Sequence, residues 1–565
     1  MSEGSKGSVA KIEPGSSSIA ETIPLGSQTG HTAVGDGVLW VSVQGSQAAH
    51  RGGTLTVWGL ASNLDSLDPA VAVYTQAWDM LSLTNDGLVS FPRTGGLEGA
   101  TLVPDLAQSL PEPSPDGKTY TFHLRPGITY SNGEPVRPED FRRAIERVFS
   151  NLEADRSPSP GLAYVSGIVG ADACTPGRPC DLSRGVVTDD AADTVTFNLT
   201  EPEPDFLYRL ALPFAFAVPA DTPDHLTKSG FVPATGPYMV RSYTPGKEVV
   251  LVRNPRFTPT ARPDGFADQI VWRLSSDAKQ MAADLLGGRA DLMFASPDPE
   301  QFSTLASSHA GQLELTPAPA TWFMSLNTQA APFDDVLVRR AVNFAVDRRE
   351  IQKLIGYDTT PTCQVMPTNF PGYAPYCPYT RSPGVAWTAP DLQMARKLVS
   401  RSGTAGMKVV VWATPPFFES VGRYFTGLLN DLNYRATLKV VSGGSYGAAI
   451  YGRPRRAQIA FSGWTSDYPA ASGFIGALAG CSSPGNESGF CDPAIDEGMA
   501  RAERLQITDP AKAGDEWASI EHDVMDQAPW VPLVDRNWAN LISRRLGNFQ
   551  VSPQYGPLVD QMWVQ

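Results

Sequence analysis

Histidine is scarce in this sequence. The six in 565 residues are His31, His50, His123, His225, His309 and His522, and no two have the spacing of metal ligands, so no zinc or other metal centre is expected. There is no G-x-x-x-x-G-K-[ST] run to cradle a nucleotide phosphate, which excludes an ATP-hydrolysing subunit, and no cofactor signature is present. No stretch of about 18 apolar residues occurs, so no helix is expected to cross a membrane. The first residues, Met1 to Ile12, lack a basic stretch followed by an apolar one, so no secretion signal is visible. Positive charge is in deficit as well. With 45 Lys and Arg against 59 Asp and Glu, the formal net charge is −14, which repels phosphate backbones and argues against nucleic acid as a partner.

What is present fits a soluble protein of more than one domain: 565 residues, 42% hydrophobic and 18% charged. The six cysteines fall in three close pairs, Cys174 and Cys180, Cys363 and Cys377, Cys481 and Cys491, each within a loop containing Gly, Pro or Ser. An even count in local pairs predicts three disulfides and an oxidising compartment. Six free thiols are the bland alternative, and zinc is disfavoured because the spacings lack the C-x₂₋₄-C form. The oxidising compartment and the missing signal together imply an export signal that lies upstream or has been removed.

Residues 1–50 differ from the rest. Short strand-like runs at Lys11–Pro14, Ala20–Pro24 and Gly37–Val43 alternate with Gly/Ser turns. They resemble one blade of a β-propeller, which cannot bury its faces without neighbours and so reads as a remnant of a larger module. From Gly52 onward strands and helices mix. Thr54–Trp58 and Tyr120–Leu124 have strand character, the second after the turn Pro115-Asp116-Gly117. Phe141, Ala144, Ile145, Val148 and Phe149 form one helical stripe. Val338, Ala341, Val342, Ala345 and Val346 form another, with Asp334 or Asp335 as its cap.

Residues 407–462 are the most informative. A strand at Met407–Trp412, a helix with Phe418, Val421, Phe425, Leu428 and Leu432 on one face, and strands at Thr437–Val441 and Ala457–Ser462 make a βαβ unit with parallel strands. Ligands of such sheets bind beyond the carboxyl ends of the strands. The segment there is Ser462-Gly463-Trp464-Thr465-Ser466-Asp467-Tyr468-Pro469, one carboxylate among aromatics. Asp467 can pair with a ligand ammonium under the cover of Trp464, or it can be a helix cap beside core aromatics. A competing motif, Gly443-Gly444-Ser445-Tyr446-Gly447, fits the G-x-S-x-G elbow of serine hydrolases, with His522 downstream. Such short patterns arise easily among 51 glycines, so no catalytic residue is assigned.

Several short motifs follow one another in a recognisable order. They are Leu67-Asp68-Pro69; the run Asp116 to Gly127 with Asn132-Gly133 and Pro138-Glu139-Asp140-Phe141; and Thr235-Gly236-Pro237-Tyr238 with Arg253-Asn254-Pro255. Then come Phe333-Asp334-Asp335 with Val338-Arg339-Arg340-Ala341 and Ala345-Val346-Asp347-Arg348, and lastly Asn486 to Pro493 with Asp496. In these the chain resembles the large extracytoplasmic binding proteins of peptide, dipeptide and nickel ABC importers, over about nine-tenths of its length. The resemblance implies an α/β, two-lobed periplasmic-binding-protein-like fold with an extra subdomain and a hinged cleft. It also implies that Asp467 holds a peptide's α-amino group, that Trp464 stacks nearby with Tyr468 alongside, and that the main chain at Ser462 and Gly463 pairs with the peptide. The glycosylation-like Asn486-Glu487-Ser488 belongs to the family motif. One departure is Ala470-Ala471, where members commonly have Asp-Pro. For the ligand's far end, Arg423, Arg453 and Arg455 are candidates, with solvated surface arginines as the plainer reading.

By the same resemblance, residues 51–83, 200–316 and 526–565 build lobe Ia, 84–199 subdomain Ib and 317–525 lobe II, with Trp322–Asn327 crossing the hinge. The implied protein is a monomer that passes a peptide or other small solute to ABC permease subunits and catalyses nothing. A ligand-sensing domain of a larger regulator is the alternative, with a serine esterase behind it.

Overall fold

The computed structural model describes residues 50–565 except 153–157, 261, 357, 416, 453 and 454, and leaves out the side chains of 299, 417, 443, 507, 508 and 510. Before residue 50 it describes the backbone of five strands. Three form one antiparallel sheet (Ser2–Glu3, Ser8–Ile12, Ile19–Pro24), and Thr29–Gly35 pairs with Val38–Val43 as a hairpin. Glu13, Pro14 and Gly37, part of the blade-like expectation, lie outside the described residues.

The frame of the molecule is an eleven-stranded mixed sheet. In spatial order it begins Tyr238–Thr244, Glu248–Arg253, Gln269–Ser275, Thr54–Leu60 and Leu292–Met293. Two long strands follow, Trp530–Ile542 and Leu313–Leu326, and then Ile459–Thr465, Lys408–Ala413 and Arg435–Val440. The long strands pair antiparallel from Leu313↔Leu541 to Ser325↔Trp530, and their register shifts between Pro317 and Thr321. On one side of that shift Trp530–Ile542 also pairs with Leu292–Met293, and on the other side with Thr359–Pro361. Each half of the sheet has its own core, one around Val57, Leu251 and Trp272, the other around Met324, Val342, Val411 and Phe425. Because both long strands run through both halves, they are the continuous backbone connections between the two cores.

The expected βαβ unit is present. Lys408–Ala413 pairs parallel with Arg435–Val440 and with Ile459–Thr465, and the helix Phe417–Asp431 lies between the first two in sequence. Val421, Phe425, Leu428 and Leu429 are buried under it, so the 3.6-residue period in the sequence has a core to face. Asp335 caps the Val336–Ala345 helix, its carboxylate accepting from Leu337 N at 2.8 Å.

A separate small sheet of Thr119–His123, Thr194–Asn198 and Val186–Asp189 packs with the helix Pro138–Ser150 around a third core that includes Tyr120, Phe141 and Phe197. Proline suits the first turn of that helix, where its missing N–H is not needed. Asp140 accepts from the Arg137 amide (2.9 Å) and the Tyr130 hydroxyl (3.0 Å). On the same helix Arg147 is fully buried and forms a two-pronged pair with Asp68 at 2.8 and 2.7 Å, which Asn151 joins at 3.0 Å. The Leu67-Asp68-Pro69 motif therefore ties the first strand's exit loop to this helix. Breaking one partner would leave an uncompensated buried charge, which typically costs about 3–5 kcal/mol.

The three cysteine pairs are disulfides: Cys174–Cys180, Cys363–Cys377 and Cys481–Cys491. No helix among the described residues is long and apolar enough to cross a membrane.

Candidate functional site

The strand Ile459–Thr465 runs three residues past Ser462 and takes Gly463, Trp464 and Thr465 into the ladder with Leu313–Leu326. Asn327 N donates to Gln458 O (2.9 Å) and Ser466 N to Pro319 O (3.0 Å), so the even-numbered residues turn their main chain toward that partner strand. Phe461, Gly463 and Thr465 then turn theirs toward the opposite edge. Lys408–Ala413 covers that edge only at Ile459 and Ala460, and the Tyr446 hydroxyl donates to Phe461 O at 2.5 Å. Gly463 and Thr465 thus face an edge with no strand partner among the described residues. Ser462 faces Phe323 instead, and its hydroxyl donates to the buried Glu487 at 2.6 Å. Burial pushes the Glu487 carboxyl up to about 7.

Glycine at 463 has a steric cause. A Cβ there would sit 2.3 Å from Trp322 Cδ1, so with any larger residue either the indole ring or the strand must shift. Trp464 is anchored by its indole N–H, which donates to Gly473 O at 2.7 Å. After the strand, the Ser466 hydroxyl donates to Tyr468 O (2.6 Å), closing a tight turn that projects Asp467.

Asp467 stands at the mouth of a cavity of about 460 Å³, and its Oδ2 accepts from the Tyr164 hydroxyl at 2.7 Å. The side chain still reaches solvent. The protein crowded around it nevertheless raises its pKa above the usual carboxylate value, and the Tyr164 bond works in the opposite direction. Tyr468 stacks on Tyr208 at 5.7 Å and donates to Asp205 Oδ2 at 3.0 Å. Gln506 donates to the other oxygen of Asp205 (2.7 Å), and Gln554 to the main-chain oxygen of Asp467 (3.1 Å).

The cavity is therefore walled from two distant parts of the chain, with Tyr164, Asp205 and Arg209 on one side and Trp464 to Glu503 on the other. Of the five residues expected at a site, Trp464, Asp467 and Tyr468 line it, and Ser462 and Gly463 belong to the strand that leads into it. Neither Arg423 nor Arg455 lines it. Arg423 pairs with Glu419 on its own helix, Arg455 donates to Asn486 O, and Arg453 lies outside the described residues. Arg209 does line it, as do Tyr164, Asp205 and Glu503, none of which carries a local sequence signal.

The hydrolase-like motif is not an elbow. Gly443–Ile450 is a helix, Ser445 meets Ser442 at 3.3 Å, and His522 bonds Ala374 O and stacks on Tyr376. The side-chain amide of Asn486 is buried against Gly480 O and Phe490 O, so the sequon-like triplet serves the fold.

A cavity walled by two parts of one chain, with two long strands joining the cores, defines the two-lobed fold of periplasmic binding proteins, and solved structures agree. The clavulanic acid biosynthesis oligopeptide binding protein 2 superposes with a TM-score of 0.79 at 25% identity, covering 92% of this chain and 97% of that one. The unliganded open form of the periplasmic murein tripeptide binding protein MppA gives 0.73 at 23% identity, covering 90% and 97%. Among curated proteins, the glutathione-binding protein GsiB of Escherichia coli (strain K12) is 25% identical over 517 residues, 88% of this chain and 92% of that protein. Residues 101–486 match the middle part of the bacterial extracellular solute-binding proteins, family 5, and the chain belongs to that family. It is an extracytoplasmic solute-binding protein of ABC import, a setting that suits its three disulfides.

Proposed function

We propose that this chain captures a peptide by its α-ammonium at Asp467 and hands it unchanged to an ABC permease. The carrying observation is the position of Asp467, a carboxylate at a cavity mouth directly beyond a strand whose edge is open at Gly463 and Thr465. An extended peptide can add to that edge through main-chain bonds, independent of its side chains. Trp464 offers an apolar face beside the ion pair. The lobes proposed are 51–83 with 200–316 and 526–565, an inserted 84–199, and 317–525, with Leu313–Leu326 and Trp530–Ile542 as the hinge strands. Binding then favours the closed form through contacts from Tyr164 and Asp205 on one side and Asp467 on the other. The absence of catalysis is part of the proposal: Ser445 and His522 have separate partners.

A tripeptide library read by native mass spectrometry identifies a retained peptide, and calorimetry follows with that peptide and its N-acetylated form. Asp467→Asn is expected to weaken the free peptide by about 30-fold or more, as loss of one member of a buried charge pair costs roughly 2–5 kcal/mol. Acetylation should weaken the wild type strongly and the variant little. Equal losses in both proteins would place the ammonium elsewhere.

A further inference from the structure

The cavity beside Asp467 carries more negative charge than one α-ammonium requires. Asp205, Asp496 and Glu503 line it together with Asp467. Arg209, the one cationic side chain among the described lining residues, is already paired with Glu203 at 2.6 Å. The hydrogen bonds to the aspartates come from neutral groups, the Tyr164 hydroxyl on Asp467, the Tyr468 hydroxyl and Gln506 amide on Asp205, and the Cys481 amide on Asp496 (3.2 Å), while the charge of Arg209 also bears on Asp205. Burial, reinforced by Asp205, pushes the Glu503 carboxyl up to about 7 against the pull of Arg209 and Arg504, so a cationic group placed beside it would favour its ionised form.

A second feature belongs to the same wall. Ser472 lines the cavity at only 6% exposure, and its hydroxyl has no hydrogen-bond partner among the described residues. Buried hydroxyls are normally satisfied, so this one leaves unused bonding capacity in the cavity wall. An acidic surface on a protein of net charge −14 needs no such explanation, but these carboxylates converge in a cavity of about 460 Å³, within the range of small-ligand sites.

We infer that this cavity selects peptides that carry a second cation, a lysine or arginine side chain, in addition to the α-ammonium. The inference rests on the peptide reading above and names its substrate class. The neutral donors orient the carboxylates without cancelling them, and a long cationic side chain can reach past Asp467 toward Glu503 and Asp496.

The test is calorimetry on the purified chain at pH 8 and low salt with Ala-Ala-Ala, the three singly lysine-substituted tripeptides, the three glutamate-substituted ones and N-acetyl-Ala-Ala-Ala. The best lysine peptide is expected to bind at least tenfold more tightly than Ala-Ala-Ala, and every glutamate peptide more weakly. Glu503→Gln should cut the lysine-to-alanine ratio at least threefold, with Asp496→Asn as the second variant should the first not fold. A wild-type ratio below tenfold, with acetylation still weakening Ala-Ala-Ala, overturns the selection and leaves the peptide reading standing. A ratio unchanged in the folded variants overturns the assignment to these carboxylates. Absence of binding by every peptide overturns both.

Discussion

Asp535 lies where the two long strands lose register. It is 3% exposed, and its Oδ1 accepts from the Thr321 hydroxyl at 3.0 Å. Burial pushes its carboxyl up to about 8, despite the Thr321 and Thr362 hydroxyls. Glu521, which accepts from Met366 N and Gln364 at 2.8 and 2.7 Å, is pushed up to about 7 by burial. Both folded values exceed the unfolded ones, so the folded state holds the extra protons. The stabilisation is complete below about pH 4, where both states are protonated alike, and falls as pH rises toward 7 and 8, by at most about 1.4 kcal/mol per pH unit for each group. Asp535→Asn keeps an acceptor for Thr321 and cannot ionise. The wild type is expected to melt at a lower temperature at pH 8.5 than at pH 5.5, and the variant to narrow that gap. Scanning calorimetry across that range is the check, and an equally wide gap in the variant would move the effect to other groups. At this scale Asp467 was legible because its neighbours form a compact motif. Asp205, Arg209 and Glu503 were not, because nothing near them in sequence marks a residue that meets Asp467 only after folding.

Elements were more legible than contacts. The helix Pro138–Ser150 and the βαβ unit stand where apolar period and turn residues put them, since amphipathic burial is written locally. The end of the strand at 459–465 was not legible. Gly463 suggests a flexible loop when only its sequence is considered, whereas it is a ladder residue made necessary by the Trp322 ring. Gly463→Ala is accordingly expected to destabilise the fold by about 1–3 kcal/mol, as overpacking does, and to weaken peptide binding by distorting the open edge. A urea titration measures the first effect and calorimetry the second; a variant of wild-type midpoint would mean that the Trp322 ring simply moves aside. The disulfide Cys481–Cys491 adds a covalent boundary to the same region, and Cys481 lines the cavity.

For the whole molecule, the decisive feature is what joins the two sides of the cleft among the described residues: hydrogen bonds such as Tyr164 to Asp467, Tyr468 and Gln506 to Asp205, and Gln554 to the Asp467 main chain, with the Tyr208–Tyr468 stack beside them. Apart from that one aromatic stack these contacts are polar, an interface that permits relative motion rather than a fused core. If ligand contacts stabilise closure, a bound tripeptide should lower the radius of gyration in solution scattering. Asp467→Asn should need a higher concentration of the same peptide for the same change. An unchanged radius at saturation would mean that the lobes do not close on their ligand.

The sequence by itself determined the class of fold, the disulfide pairs, and the segment that ends in Asp467. Each depends on local pattern: cysteines a few residues apart, period in apolar residues, and ordered short motifs. Only the tertiary structure decided what faces Asp467. Tyr164 lies 303 residues away, and Asp205 reaches the same cavity from 262 residues before it, with no short-range preference that ties either to the motif. The composition of a cleft between lobes is set by which distant surfaces two hinge strands bring together, and that geometry exists only once both cores have formed.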